Sequence, residues 1–286
     1  MIRTIALQFG FPAEAAEYLQ SSYEKLLKAP DFAEDFELAE KLFLKKYYGY
    51  KEILKRLSDK TDVNLFTANM IFLLMLTPKL HSRYKEKNIA DDIFFDTMQD
   101  LKYKLFECMN MHGVWGTFVP DWYMGIFAME CFKLGRLEYQ KGYALETDKL
   151  DGIKRIGDRI FRCHIPSCGP LSEEDVKASL KQAKEFFKDE LKGETFVLCC
   201  GSWLLYPPVV NKLKDSSNIK KFYQLFTIHT EEERPENPDF WRIFNEPYSP
   251  DAVNRIQPKG HVQETVLSHL KEGGTLGAGR GYIIVE

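Results

Sequence analysis

Apolar residues recur at helical spacing from the start of the chain to about residue 130, with no alternating run among them. After Pro12, the positions Ala15, Ala16, Leu19, Tyr23, Leu26 and Leu27 mark one face of a helix. Asp31 stands where it can cap a second helix, carrying Phe32, Phe36, Ala39, Leu42 and Phe43. Tyr50, Ile53, Leu54 and Leu57 continue on one face. Asp62 can cap a third helix around Met70–Leu76, apolar on most sides as a buried helix is. A further helix is predicted from Ile89 to Cys108, through Ile93, Phe94, Met98, Leu101 and Leu105, ending at Gly113. Val114–Leu134 is rich in aromatic residues, among them Trp115, Phe118, Trp122, Tyr123, Phe127 and Phe132; it reads as a seam between halves, as interdomain core or as a ligand wall.

From Leu134 the period changes. LGRLEYQKGYAL alternates residue by residue and predicts a strand, with Leu137 and Tyr139 on one face and Arg136, Glu138 and Gln140 on the other. RIFRCHIP predicts a second strand ended by Pro166; its alternation sets Arg162 and His164 opposite Phe161, Cys163 and Ile165. Ser172 opens a helix with Val176, Leu180, Ala183, Phe187 and Leu191 on one face. FVLCCGSWLL reads as a strand covered on both faces. There follow a helical stretch over 207–226, a strand at LFTIHT, a Pro-rich loop over 235–258, a helix over 261–270 and a closing strand at YIIVE. The expected fold is α+β overall: an all-α domain over 1–130, then a mixed α/β sheet domain over 131–286.

Composition narrows the function. The 286 residues carry 39 Lys and Arg against 42 Asp and Glu, a net charge of -3 with no basic stripe, which argues against a nucleic-acid binder. The six cysteines form no C-x-x-C pair and do not suggest a zinc site or a disulfide framework. The N-terminal apolar stretch is broken by Gln8, Gly10 and Pro12, and Met70–Leu76 is too short to span a bilayer, so a cytoplasmic location without membrane attachment is expected.

The segment from Arg162 to Phe187 holds the chemistry of most interest. A strand ends at Pro166, a turn with Gly169 follows, and a helix begins at Ser172; the N–H groups opening a helix favour a phosphate. GGTLGAGRG near the end does not read as a dinucleotide turn, because a helix precedes it and a strand follows; it reads as a glycine turn before the last strand.

The succession strand, turn, long helix, strand, helix and closing strands is similar to the GNAT acyltransferase core. The words LGRLEYQ, HIPSCGPL, SWLLYP and SNIKKFYQLF resemble a two-domain bacterial family with a helical N-terminal acyltransferase domain and a GNAT-like C-terminal domain, over nearly the whole chain. The resemblance implies an acyl-CoA-dependent N-acyltransferase that moves an acetyl or other acyl group to a small-molecule or peptide amine. It implies coenzyme A along Ser167, Cys168, Gly169, Leu171 and Ser172, with Ser202 on the pantetheine arm. His164 and Glu138 become candidate bases and Tyr223 the candidate acid for the leaving thiolate. The turn departs from the usual signature, having one glycine, a Pro170 without an N–H, and Glu173, Glu174 and Asp175 where a pyrophosphate would sit. A non-catalytic acyl-CoA binding module is therefore the alternative. Cys168 beside a helix start, with His164 nearby, offers a rival nucleophile.

Overall fold

The computed structural model describes residues 1–286 and divides into two compact units, Met1–Phe132 and Lys133–Glu286. The first unit is helical: α1 (Ile2–Gln8), α2 (Ala13–Leu26), α3 (Phe32–Leu44), α4 (Tyr50–Thr61), α5 (Leu65–Glu86), α6 (Asp91–Met98), α7 (Asp100–His112) and α8 (Tyr123–Phe127). No strand precedes Cys131. α5 carries the Met70–Leu76 run and packs against α1, α2, α4, α6 and α7, which is why it is apolar all round. Phe72 of α5 meets Phe43 and Tyr50 at ring distances of 5.3 and 5.8 Å. No single helix is long and apolar enough to cross a membrane.

Two helix boundaries differ from expectation. Asp62 does not cap α5; it ends α4 in the left-handed conformation, and Asn64 caps α5 by accepting from the Phe66 N–H at 2.8 Å. The helix expected over 89–108 is two helices joined at Gln99. That residue keeps helical angles (φ -59, ψ -19), so the apolar period runs through the break unaltered. Asp100 then turns inward and accepts from Trp122 Nε1 at 3.1 Å and the Tyr123 hydroxyl at 3.0 Å, which gives two of the clustered aromatics a structural role.

β1 (Cys131–Leu134) spans the boundary, and the second unit holds β2 (Leu137–Tyr143), β3 (Arg159–His164), α9 (Glu173–Phe186), α10 (Lys188–Leu191), β4 (Val197–Ser202), α11 (Pro207–Val210), α12 (Asn218–Tyr223), β5 (Thr227–Glu233), α13 (Phe240–Phe244), α14 (Pro250–Arg255), α15 (His261–Lys271) and β6 (Gly277–Ile284). The sheet order is β1-β2-β3-β4-β6-β5. β2–β3, β4–β6 and β5–β6 are antiparallel; β3–β4 is parallel, crossing over through α9. Phe161, Phe187 and Phe196 form the core between sheet and α9, with centroids 4.4 and 4.7 Å from Phe161. Each such buried ring contributes about 2–3 kcal/mol.

The alternating run at 134–145 is a hairpin rather than one strand. Gly135 (φ +66) and Arg136 form its turn, so Arg136 does not share a strand face with Glu138. The alternation carries across because a two-residue turn preserves the count. The Pro-rich segment holds two short helices, α13 and α14, whose Phe240, Ile243, Ala252 and Val253 join a core with Tyr206, Val209 and Val266. The 207–226 stretch is likewise two short helices. Gly277, Gly279 and Gly281 lie within β6 itself, not in a turn before it. A Cβ on Gly279 would stand 1.8 Å from the Leu205 carbonyl oxygen and one on Gly277 2.3 Å from that of Glu232, so backbone crowding excludes side chains there.

Candidate active site

β3 and β4 share the parallel register Phe161↔Leu198 and Arg162↔Cys199. Beyond it β4 continues to Ser202 paired with Gly279 of β6, while β3 continues to His164 paired with Glu138 of β2. The sheet therefore forks at the C-terminal ends of two parallel strands, the edge where open α/β sheets place their ligands. Cys163 and Cys200 sit just past the last shared pair, both buried. A hydrogen bond between them, together with burial, holds the Cys163 thiol well above its ordinary value, so it stays protonated.

The turn after β3 starts at the fork. Ser167, Gly169 and Pro170 are exposed, Cys168 and Ser172 are partly buried, and Leu171 points into the core. Ser172 is the N-cap of α9: its Oγ accepts from the Asp175 N–H at 3.1 Å and donates to the Asp175 carboxylate. Of the three acidic residues in the first turn, Glu173 pairs with Lys177 at 2.7 Å and with Lys221 of α12 at 3.5 Å. Those contacts, Lys177 first, hold the Glu173 carboxyl below its ordinary value. Gly169 adopts φ +120, which a side chain would strain.

Arg136 reaches this turn from the β1–β2 hairpin. Its guanidinium donates to the carbonyls of Pro166 (3.0 Å), Gly169 (2.7 Å) and Pro170 (2.9 Å). The hairpin is fixed to α9 by buried Ser179, whose hydroxyl donates to the Leu134 carbonyl, accepts from the Leu137 N–H at 3.1 Å and lies 2.8 Å from the Tyr139 hydroxyl. Sequence reasoning assigned neither residue to the site; the Gly-Arg pair between two alternating segments was the available signal.

His164, Gln140, Glu138 and Arg162 share the sheet face opposite α9. His164 Nε2 lies 2.9 Å from Gln140 Oε1. With that oxygen as acceptor, Nε2 carries the proton and Nδ1 the lone pair. Burial first, and the Arg162 cation second, lower the imidazole pKa to about 4, so it is neutral near pH 7. Asp148 accepts from both terminal nitrogens of Arg162, at 2.8 Å to Nη2, and from the Leu145 N–H at 2.7 Å. Glu138 is 1% exposed and its Cα stands opposite that of His164.

The other candidates lie on the same edge or beside it. Ser202 ends β4 and its Oγ accepts from the Leu204 N–H at 3.2 Å, capping the short turn Trp203–Leu205. Tyr223 ends α12, which packs against α9 and against that turn; its neighbour Phe222 is buried while Tyr223 is partly exposed. Cys168 Sγ contacts the Arg136 carbonyl at 3.9 Å and His164 is engaged with Gln140, so the structure gives no support to a Cys168–His164 couple.

Comparison with known proteins fits this geometry. Residues 2–129 match an N-acyltransferase N-terminal domain and residues 131–283 a GNAT-like C-terminal domain. No curated protein matches the chain in sequence. Among solved structures, an acyltransferase mutant in complex with octanoyl-CoA is similar at 19% identity and a TM-score of 0.79, over 100% of this chain and 88% of the other. An acyltransferase in complex with decanoyl-CoA and teicoplanin is similar at 19% identity and a TM-score of 0.76, over the same shares. These likenesses concern the fold. The chain belongs to the acyltransferase family that joins an N-acyltransferase N-terminal domain to a GNAT-like C-terminal domain.

Proposed function

We propose that this enzyme transfers an acyl group from acyl-CoA to the amine of a small molecule or peptide by direct attack. The observation that carries the reading is the fork of β3 from β4 beside the turn that opens α9. The pyrophosphate binds at Ser167–Ser172 through backbone N–H groups, with Gly169 and Leu171 contributing main chain, while the Cys168 N–H is donated to the Pro166 carbonyl at 2.8 Å and shapes the turn. The pantetheine arm enters the fork past Ser202. The octanoyl- and decanoyl-CoA held by the similar acyltransferases support a medium-chain donor, and teicoplanin in one of them supports a peptide-like acceptor.

The amine attacks the thioester carbonyl, the C–N bond forms, and the nitrogen becomes acidic. Neutral His164 takes its proton at that stage, with Glu138 as the second candidate base on the same face. The C–S bond breaks, and Tyr223 protonates the departing thiolate. Positioning of donor and acceptor supplies much of the acceleration.

The test is thiol release from octanoyl-CoA in the presence of a panel of primary amines and glycopeptides, with products weighed by mass spectrometry. Amine-dependent release and a product heavier by one acyl group are expected. Tight binding of octanoyl-CoA with no release over the panel would favour a binding module instead.

A further inference from the structure

The turn between β3 and α9 has one glycine and a proline without an N–H, so its shape cannot come from a run of flexible residues. One bond inside the turn helps, from the Cys168 N–H to the Pro166 carbonyl at 2.8 Å, and the rest comes from outside it. Three of its carbonyls, those of Pro166, Gly169 and Pro170, converge on the single guanidinium of Arg136 at 3.0, 2.7 and 2.9 Å.

In a trans peptide the N–H points opposite to the C=O, and the chain has no cis peptide bond. Carbonyls 166 and 170 are drawn onto Arg136. The N–H groups of Ser167 and Leu171, in the same peptide planes, therefore point away from it. The carbonyl dipoles, which would repel an anion, are turned toward a cation instead. The arginine is itself fixed, since Gly135 beside it (φ +66) packs so closely on α9 that a Cβ would stand 3.3 Å from Ser179, and Ser179 bonds both strands of the hairpin.

We infer that Arg136 is a positioning residue for the donor nucleotide: its guanidinium shapes the turn Pro166–Pro170 so that the N–H groups of Ser167 and Leu171 face the pyrophosphate of acyl-CoA. The inference rests on the proposed use of this turn for acyl-CoA. A planar fork with several donors is needed to hold three carbonyls, which lysine cannot reproduce.

Calorimetry of the full chain with coenzyme A, and with pantetheine as the probe lacking pyrophosphate and nucleotide, tests it. Arg136→Gln is expected to weaken coenzyme A by about tenfold or more, the scale of one lost charge-assisted hydrogen bond. Pantetheine affinity is expected to hold. Arg136→Lys is expected to recover only a small part of the loss. With octanoyl-CoA as donor, KM should rise while kcat holds.

Coenzyme A affinity within twofold of the wild type in Arg136→Gln overturns the inference. So does full recovery in Arg136→Lys, which would mean plain charge attraction, or an equal loss for pantetheine, which would mean a collapsed fork. If Arg136→Gln does not fold, the ratio of coenzyme A to pantetheine affinity in Arg136→Lys decides alone, an unchanged ratio counting against the inference. A wild-type protein that binds no coenzyme A overturns the donor reading itself, whatever Arg136 does.

Discussion

His164 and Gln140 meet across the β2–β3 pair, imidazole Nε2 to amide Oε1 at 2.9 Å, one diagonal step along the antiparallel register. The contact fixes the ring on a sheet face where Arg162 is the next residue along β3, and burial, with that cation second, keeps the histidine neutral near pH 7.

Replacing His164 by Ala is expected to lower thiol release about a hundredfold, the usual scale for a lost general base. With the imidazole pKa at about 4, turnover of the wild type should show no limb near the ordinary value of 6.5 and should fall only as pH approaches 4. Rates measured from pH 4 to 8 decide this. A limb at 6.5 that vanishes in His164→Ala would mean that the imidazole is not held as described.

The same shift governs stability. The unfolded imidazole takes a proton near pH 6.5 and the folded one only near 4, so the unfolded state binds more protons between these values. Stability from this group is complete above 6.5 and is lost as pH falls toward 4. Urea melts between pH 4 and 7 should therefore show a shallower pH dependence in His164→Gln than in the wild type.

Asp148→Asn should destabilise the second unit by about 1–3 kcal/mol, the cost of leaving buried donors poorly matched. Burial works to raise the Asp148 carboxyl, but the Arg162 and Leu145 hydrogen bonds outweigh it and hold the group below its ordinary value. The variant also leaves Arg162 without its counter-ion, two residues from His164. NMR titration should find the imidazole pKa lower still.

Gly279→Ala and Gly169→Ala should separate crowding from backbone strain. A Cβ at 279 meets the Leu205 carbonyl at 1.8 Å, and the cost should reach about 3 kcal/mol or more. A Cβ at 169 meets nothing within 4 Å, but φ +120 costs about 1–2 kcal/mol. Thermal melts of both variants give the comparison directly, and equal losses would count against the crowding at β6.

Periodicity carried the fold because the residues that set it are those that pack. Phe161 and Cys163 face α9 while Arg162 and His164 face away, as their alternation predicts. Asp62 misled because Asp serves at either end of a helix, and the left-handed backbone that decides is not a composition signal. The hairpin at Gly135 was hidden because its turn keeps the strand period. The placement of His164 at a strand end, and of the turn before a helix start, was legible from the change of period and from Ser172. Arg136 was not, since its partners are carbonyls 30 to 34 residues away, and a backbone acceptor leaves no mark on the sequence.

The glycines of β6 have a consequence for how this fold tolerates change. What lies against Gly277 and Gly279 is main chain, the carbonyls of Glu232 and Leu205, joined at Gly277 by the ring of Tyr206. Trimming a neighbouring side chain can relieve a clash with a side chain, but no trimming removes a carbonyl. Second-site suppressors of a substitution at Gly279 should therefore be hard to find among its contacts, while losses in the Phe161 core should be open to rescue by repacking.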